Sequence, residues 1–191
     1  MTDLAERRGM ETDVYQPAED SHLLAEVAAA DIRNDDLVLE VGTGSGYVSE
    51  FVADATNSRV LGSDVNPHAC ENARERGVEA VRGDLVAPFR DGAFDAVLFN
   101  PPYLPTDPDE ERDDWMERAL SGGESGREVI DPFLDSVGRV LAPDGRVYLL
   151  VSSLSGVEEV VFRASKNGFS VVALRDESFP FETLSILKLV R

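Results

Sequence analysis

Asn100, Pro101, Pro102 and Tyr103 are consecutive and bring together an amide, two rigid prolines and an aromatic ring. The asparagine side-chain oxygen and the Pro101 carbonyl are both hydrogen-bond acceptors. Two such acceptors can hold the two hydrogens of a planar NH2 group. The nitrogen of an amide or an adenine is a poor nucleophile, because its lone pair is delocalised. Held in this way, electron density is favoured on nitrogen and the atom can be aimed at an electrophile. The prolines fix the turn, so the carbonyl points one way. Tyr103 can stack on the planar group. Such catalysis is positioning and electrostatics and needs no metal. Taken alone, the tetrapeptide also reads as a proline-rich turn with a tyrosine packed on it.

A second group lies upstream. Glu40, Val41, Gly42, Thr43, Gly44, Ser45 and Gly46 follow an apolar run. Glycines after a strand let the backbone turn tightly and approach a ligand, and the next helix offers free N–H groups. The spacing is G-x-G-x-G, an imperfect fit to the G-x-G-x-x-G dinucleotide fingerprint. Asp64 and Asp84 end two later apolar runs. In an open parallel sheet, Glu40, Asp64 and Asp84 share the edge where ligands bind. Asp64, followed by Val65, can hold both hydroxyls of a ribose. Asp84 can accept from an adenine amino group while Leu85 offers its backbone N–H. By itself, the glycine run is also an ordinary turn.

These groups need elements to position them. Apolar residues at helical spacing predict helices over 19–32, 46–55, 67–76, 128–141 and 155–166. Asp20 or Ser21 can cap the first of them. Short apolar runs predict strands over 37–41, 60–63, 80–82, 94–99 and 146–151. A turn is expected at Pro143-Asp144-Gly145. The runs 169–175 and 184–190 have no helix pattern between them and should pair antiparallel. The expected architecture is α/β: a seven-stranded, mostly parallel sheet with one antiparallel strand and helices on both faces. Length and a 42% hydrophobic content fit one domain over 1–191. Asn100 then ends the fourth strand, beside the glycine loop.

This set resembles the cofactor site of the class I S-adenosylmethionine-dependent methyltransferases, with their Rossmann-like fold, and the likeness runs through nearly the whole chain. The Asn100–Tyr103 motif is similar to that of enzymes methylating planar-system nitrogens: glutamine methyltransferases of release factors, adenine-N6 enzymes and some guanine-N2 enzymes. Three further segments narrow the choice. They are Val14-Tyr15-Gln16-Pro17-Ala18-Glu19-Asp20-Ser21, Ala119 through Glu128 with its glycines, and Glu182-Thr183-Leu184-Ser185. With the catalytic motif they resemble the eukaryotic and archaeal branch of the HemK-like glutamine methyltransferases. The resemblance implies S-adenosylmethionine as cofactor and the glutamine of the Gly-Gly-Gln motif of class I release factors as acceptor. It also implies a 1–18 segment closing over the cofactor, helped by Tyr15 and Ser21. A small zinc-containing activator subunit is implied too, pairing with the exposed edge of the third strand near 79–82. Gln16 and Ser21 depart from the glutamate and threonine more common there.

Thirty-seven acidic against 18 basic residues give a net charge of −19. Lysine occurs only at Lys166 and Lys188, and arginine supplies the rest. This composition is expected of a salt-adapted microbe, where screening relieves self-repulsion. The competing reading is that the acidity repels nucleic-acid phosphates; the lysine-poor composition favours salt adaptation, which weakens any inference from charge to substrate. The acidic run at 107–114 reads either as a solvated loop or as an attractor for a basic partner surface. Trp115 reads as a lid residue or a packing anchor. No run is long and apolar enough for a membrane span, and Met1 to Glu11 lacks the apolar stretch of a signal peptide. A cytoplasmic protein is expected. One cysteine, Cys70, and two histidines, His22 and His68, give no zinc site and no catalytic constellation. Adenine-N6 methylation of DNA or RNA is the alternative activity. It would require a basic groove or an added recognition domain.

Overall fold

The computed structural model describes residues 14–107 and 114–191. Its elements run α1 (Glu19–Asp31), β1 (Leu37–Val41), α2 (Tyr47–Thr56), β2 (Arg59–Asp64), α3 (Pro67–Glu75) and β3 (Glu79–Arg82). They continue with β4 (Phe94–Phe99), α4 (Trp115–Leu120), α5 (Ile130–Ser136), β5 (Leu141–Ser152), α6 (Val157–Lys166), β6 (Ser170–Ser178) and β7 (Thr183–Val190). Expectations that fall on residues 1–13, and on residues 108–113 of the acidic run, lie outside the described residues.

The seven strands form one sheet in the order β3-β2-β1-β4-β5-β7-β6. All neighbours pair parallel except β7, which is antiparallel to both β5 and β6. This is the expected Rossmann-like class I arrangement. Alternation along the central strands builds two cores. Leu39, Val97, Leu149 and Leu187 join one face, packed against Phe133 of α5 and Val160 of α6. Val38, Leu98, Leu150 and Ile186 join the other, packed against Leu24 of α1 and Val52 of α2. Both faces of these strands are therefore buried, which explains their continuous apolar runs. Among the described residues, no helix is long and apolar enough to cross a membrane.

Three local expectations are corrected. The helix expected over 128–141 is shorter, Ile130–Ser136, followed by a 3-10 turn at Val137–Arg139. Pro143-Asp144-Gly145 is not a turn between elements. It lies inside β5, where the register jumps from Phe94↔Leu141 to Ala96↔Arg146. The surplus residues form a bulge, and Gly145 permits it because a Cβ there would stand 2.9 Å from two carbonyl oxygens. Finally, α1 has Ala18 at its N-cap with no side-chain cap bond. Asp20 lies inside the helix, turned toward Tyr15.

Candidate functional site

The carboxyl ends of β1, β2, β3, β4 and β5 share one edge, since these strands are parallel. A cavity of about 480 Å³ opens there, within the roughly 300–1,000 Å³ typical of small-molecule sites. Glu40, Gly42, Gly44, Asp64, Val65, Asp84 and Leu85 all line it. So do Asn100, Pro101, Pro102 and Tyr103, and, from the segment entering α1, Tyr15 and Ser21. Gly46 alone among the expected site residues is not in the wall.

The glycine loop takes its shape from the residues around it. Gly42, Gly44 and Gly46 have φ of 66°, 52° and 82°, the left-handed region that side chains avoid. Gly44 N–H donates to Asp64 Oδ2 at 3.0 Å, and Asn66 N–H donates to Asp64 Oδ1 at 2.9 Å. Asp64 is thus clamped by backbone N–H groups, with a third bond from Val65, and its two oxygens have lone-pair capacity beyond these three bonds. Burial raises its pKa, against the pull of these backbone N–H bonds. Gly46 packs differently: a Cβ there would lie 2.8 Å from Ala73 Cα of α3. Its glycine serves helix packing.

Glu40 is buried at the end of β1. Its Oε2 accepts from Thr43 Oγ1 at 2.8 Å, from Ser49 N–H at 3.0 Å and from the Ser49 hydroxyl. Burial pushes its pKa up to about 7, opposed by the Ser49 and Thr43 bonds and reinforced by Asp64. Thr43 and Ser49 were not expected as site residues. Asp20 is a second addition. It is buried, lines the cavity, and accepts from the Tyr15 hydroxyl at 2.9 Å and from Ser21 N–H at 2.7 Å. This carboxylate ties the incoming segment to α1. The sequence places it in the 14–21 segment and as a helix-cap candidate, with no sign of its bond to Tyr15.

On the far side, Val65 is exposed and Leu85 half-buried, the latter at φ 46°. A leucine in that region is strained, which is a mark of functional loops. Asp84 is exposed beside it.

Asn100 directly follows β4. Its Oδ1 is buried and has no hydrogen-bond partner. Leaving such an acceptor unmet costs about 1–3 kcal/mol. The site therefore contains an acceptor prepared for a donor from elsewhere. Tyr103 is buried within the core built by α1 and α2 while still forming cavity wall. The glycine loop of 121–128 is stitched to the motif rather than loose. Gly122 N–H donates to Leu104 O at 2.9 Å, and Thr106 N–H donates to Gly123 O at 3.0 Å. A Cβ on Gly126 would meet Tyr103 O at 2.7 Å, so this loop needs its glycine to pack. Trp115 and Arg118 of α4 line the cavity, with the guanidinium 5.3 Å from the indole centroid. Glu182 is not in the wall. It accepts from Ser152 Oγ at 2.7 Å and so fastens the β6–β7 connection to the end of β5.

Comparison with known proteins agrees with this geometry. The model of a family described as a methyltransferase domain matches residues 38–121. A Methanocaldococcus jannaschii protein, provisionally named a protein N5-glutamine methyltransferase, is 38% identical over 92% of this chain and 90% of its own. Methyltransferase HEMK2 of Homo sapiens is 37% identical over 96% of this chain and 92% of its own. Among solved structures, the E. cuniculi Mtq2–Trm112 complex, described as responsible for methylating the eRF1 translation termination factor, matches with a TM-score of 0.80. There the identity is 32%, over 94% of this chain and 99% of that one.

Proposed function

We propose that this chain, which belongs to the HemK-like protein-glutamine N5-methyltransferase family, methylates the glutamine of the Gly-Gly-Gln motif in a class I release factor. The observation that carries the reading is the buried, unpartnered Oδ1 of Asn100 in the wall of the glycine-loop cavity.

S-adenosylmethionine, when bound, supplies an electrophilic methyl group on a sulfonium. The residues present fit it. The positive-φ glycines let the backbone approach closely, Asp64 keeps lone pairs for ribose hydroxyls, and Val65 and Leu85 offer apolar walls for adenine beside Asp84. Tyr15 and Ser21, held by Asp20, cover the cavity from the N-terminal side, with Gly42 and Glu40 at its base. Asn100 Oδ1 accepts one hydrogen of the substrate amide and the Pro101 carbonyl accepts the other. The nitrogen is then fixed with its open face toward the cavity. Pro102 stiffens the turn, and Tyr103 bounds the planar amide. We read 1–191 as one domain whose 1–18 segment closes over the cofactor, acting in the cytoplasm.

The Mtq2–Trm112 complex supports an activator subunit as partner. We place it on β3, the edge strand next to β2, where Val81 is exposed.

The test is mass spectrometry of the release factor after incubation with the chain, its activator and S-adenosylmethionine in molar KCl. A gain of one methyl on the Gly-Gly-Gln glutamine is expected. Asn100→Ala should lower turnover by roughly 100-fold or more, as loss of an acceptor made for the transition state does. Cofactor affinity should stay near wild type. Methyl transfer to nucleic acid instead would move the reading to adenine methylation.

A further inference from the structure

Phe181 is 70% exposed, more than any other large apolar side chain among the described residues. It sits in the turn joining β6 to β7. That turn is held tightly. Phe179 N–H donates to Glu182 O at 2.7 Å, and the Phe179 ring packs on the core beneath. The buried Glu182 carboxylate accepts from Ser152 Oγ, and Thr183 N–H donates to Ser153 Oγ at 3.0 Å. The turn around it is held by these bonds, and the exposed Phe181 ring itself gains little from folding.

The turn stands at the same edge of the sheet as Asn100, because β6 runs parallel to β4 and β5. Strands lie about 4.8 Å apart, so crossing from β4 past β5 to the β6–β7 turn covers roughly 10–15 Å. Segments joined by hydrogen bonds lie between them. Leu154, exposed in the 3-10 turn Ser153–Ser155, comes first. Arg127 Nη1 then donates to Ser155 O at 2.6 Å, and Gly126 packs between Ser155 and the Tyr103 carbonyl.

We propose that Phe181, on the sheet edge that also exposes Leu154, is the apolar anchor that grips the protein substrate next to its methyl-accepting glutamine. This rests on the glutamine reading above. An extended chain advances about 3.3 Å per residue, so the anchored residue is three or four positions from the glutamine. Free glutamine or an isolated nucleotide is too small to span the distance. Asp176 is exposed on β6 beside the turn, while Glu177 is paired with Arg175 at 3.6 Å, so an apolar substrate residue with one basic neighbour fits this surface. Single aromatic anchors of this kind dominate many interfaces.

The experiment compares steady-state kinetics of wild type, Phe181→Ala and Phe181→Leu on intact release factor, with the activator present throughout. Phe181→Ala should raise KM for the factor roughly ten-fold, leaving kcat and cofactor affinity within about two-fold. Phe181→Leu should recover most of the loss. An unchanged KM overturns the proposal, and so does a fall in kcat alone, which would mark a structural prop. If wild type leaves the glutamine unmethylated, the functional reading itself fails and Phe181's role with it.

Discussion

Glu40 collects three hydrogen bonds on one oxygen in a buried position, and burial still outweighs them, holding its pKa near 7. The ordinary value is 4.5. Between those values the folded chain keeps a proton that the unfolded chain has lost. The stability this lends is full below about pH 4.5 and is lost as pH rises through 7. At about 1.4 kcal/mol per pH unit, up to about 3 kcal/mol is at stake. Glu40→Gln removes the titration. Of this, about 2 kcal/mol is lost between pH 5.5 and 8, so the melting temperature of the ligand-free wild type should fall over that range by roughly 4–8 °C more than that of the variant. Parallel curves would show that Glu40 is ionised throughout. At this scale, what was legible in the sequence is what lies in one stretch of chain. Glu40 with its glycines and Asn100 with its prolines declare themselves by local spacing, and Asp64 and Asp84 by ending strands. Asp20 and Ser49 do not, because their roles exist only once α1 and α2 are packed against Tyr15 and β1. Glu182 was noticed for its motif, but its task of tying β7 to β5 shows only in three dimensions.

Among the elements, the loop between β1 and α2 uses its glycines for separate ends. Gly46 has α3 against it, and any side chain at φ 82° would push on Ala73. Gly44 has only the Tyr15 carbonyl within 4 Å, at 3.9 Å, and faces the cavity. Gly46→Ala should therefore cost about 3 kcal/mol from overpacking plus left-handed strain, a fall of roughly 5–10 °C in melting temperature. Gly44→Ala should cost about 1 kcal/mol, yet weaken S-adenosylmethionine binding several-fold. Thermal denaturation and calorimetric titration of both variants would separate the two effects, and the reverse pattern would refute the assignment. The same split governs what could be read of the elements. Strands buried on both faces announce themselves as apolar runs, so order and type were accessible. The Pro143-Asp144-Gly145 segment carries the composition of a turn, and nothing local says that the chain will resume the same strand. Only the pairing of β4 with both halves of β5 settles that.

Over the whole molecule, the charge is the feature that fold and site leave unexplained. The pairs Arg59–Glu79, Arg76–Glu50, Arg163–Asp135 and Arg175–Glu26 are exposed, where such bridges contribute about 0–1 kcal/mol each. The pair Arg146–Asp36 is buried, and Arg146 also donates to Tyr148 Oη at 2.8 Å, so salt reaches it little. Added salt therefore removes little attraction. With a net charge of −19, it removes much repulsion. The Debye length falls from about 10 Å at 0.1 M to about 3 Å at 1 M, so most of the relief belongs to that interval. The melting temperature should rise steeply with KCl up to about 1 M and then flatten. Matched sucrose solutions, which favour burial without screening charge, should reproduce only a fraction of the rise. A flat or falling KCl curve would mean that the acidic surface is not repelling itself. The charge would then have to be explained by a basic partner lying against it, and the same melts repeated with release factor or activator present would show the missing stabilisation.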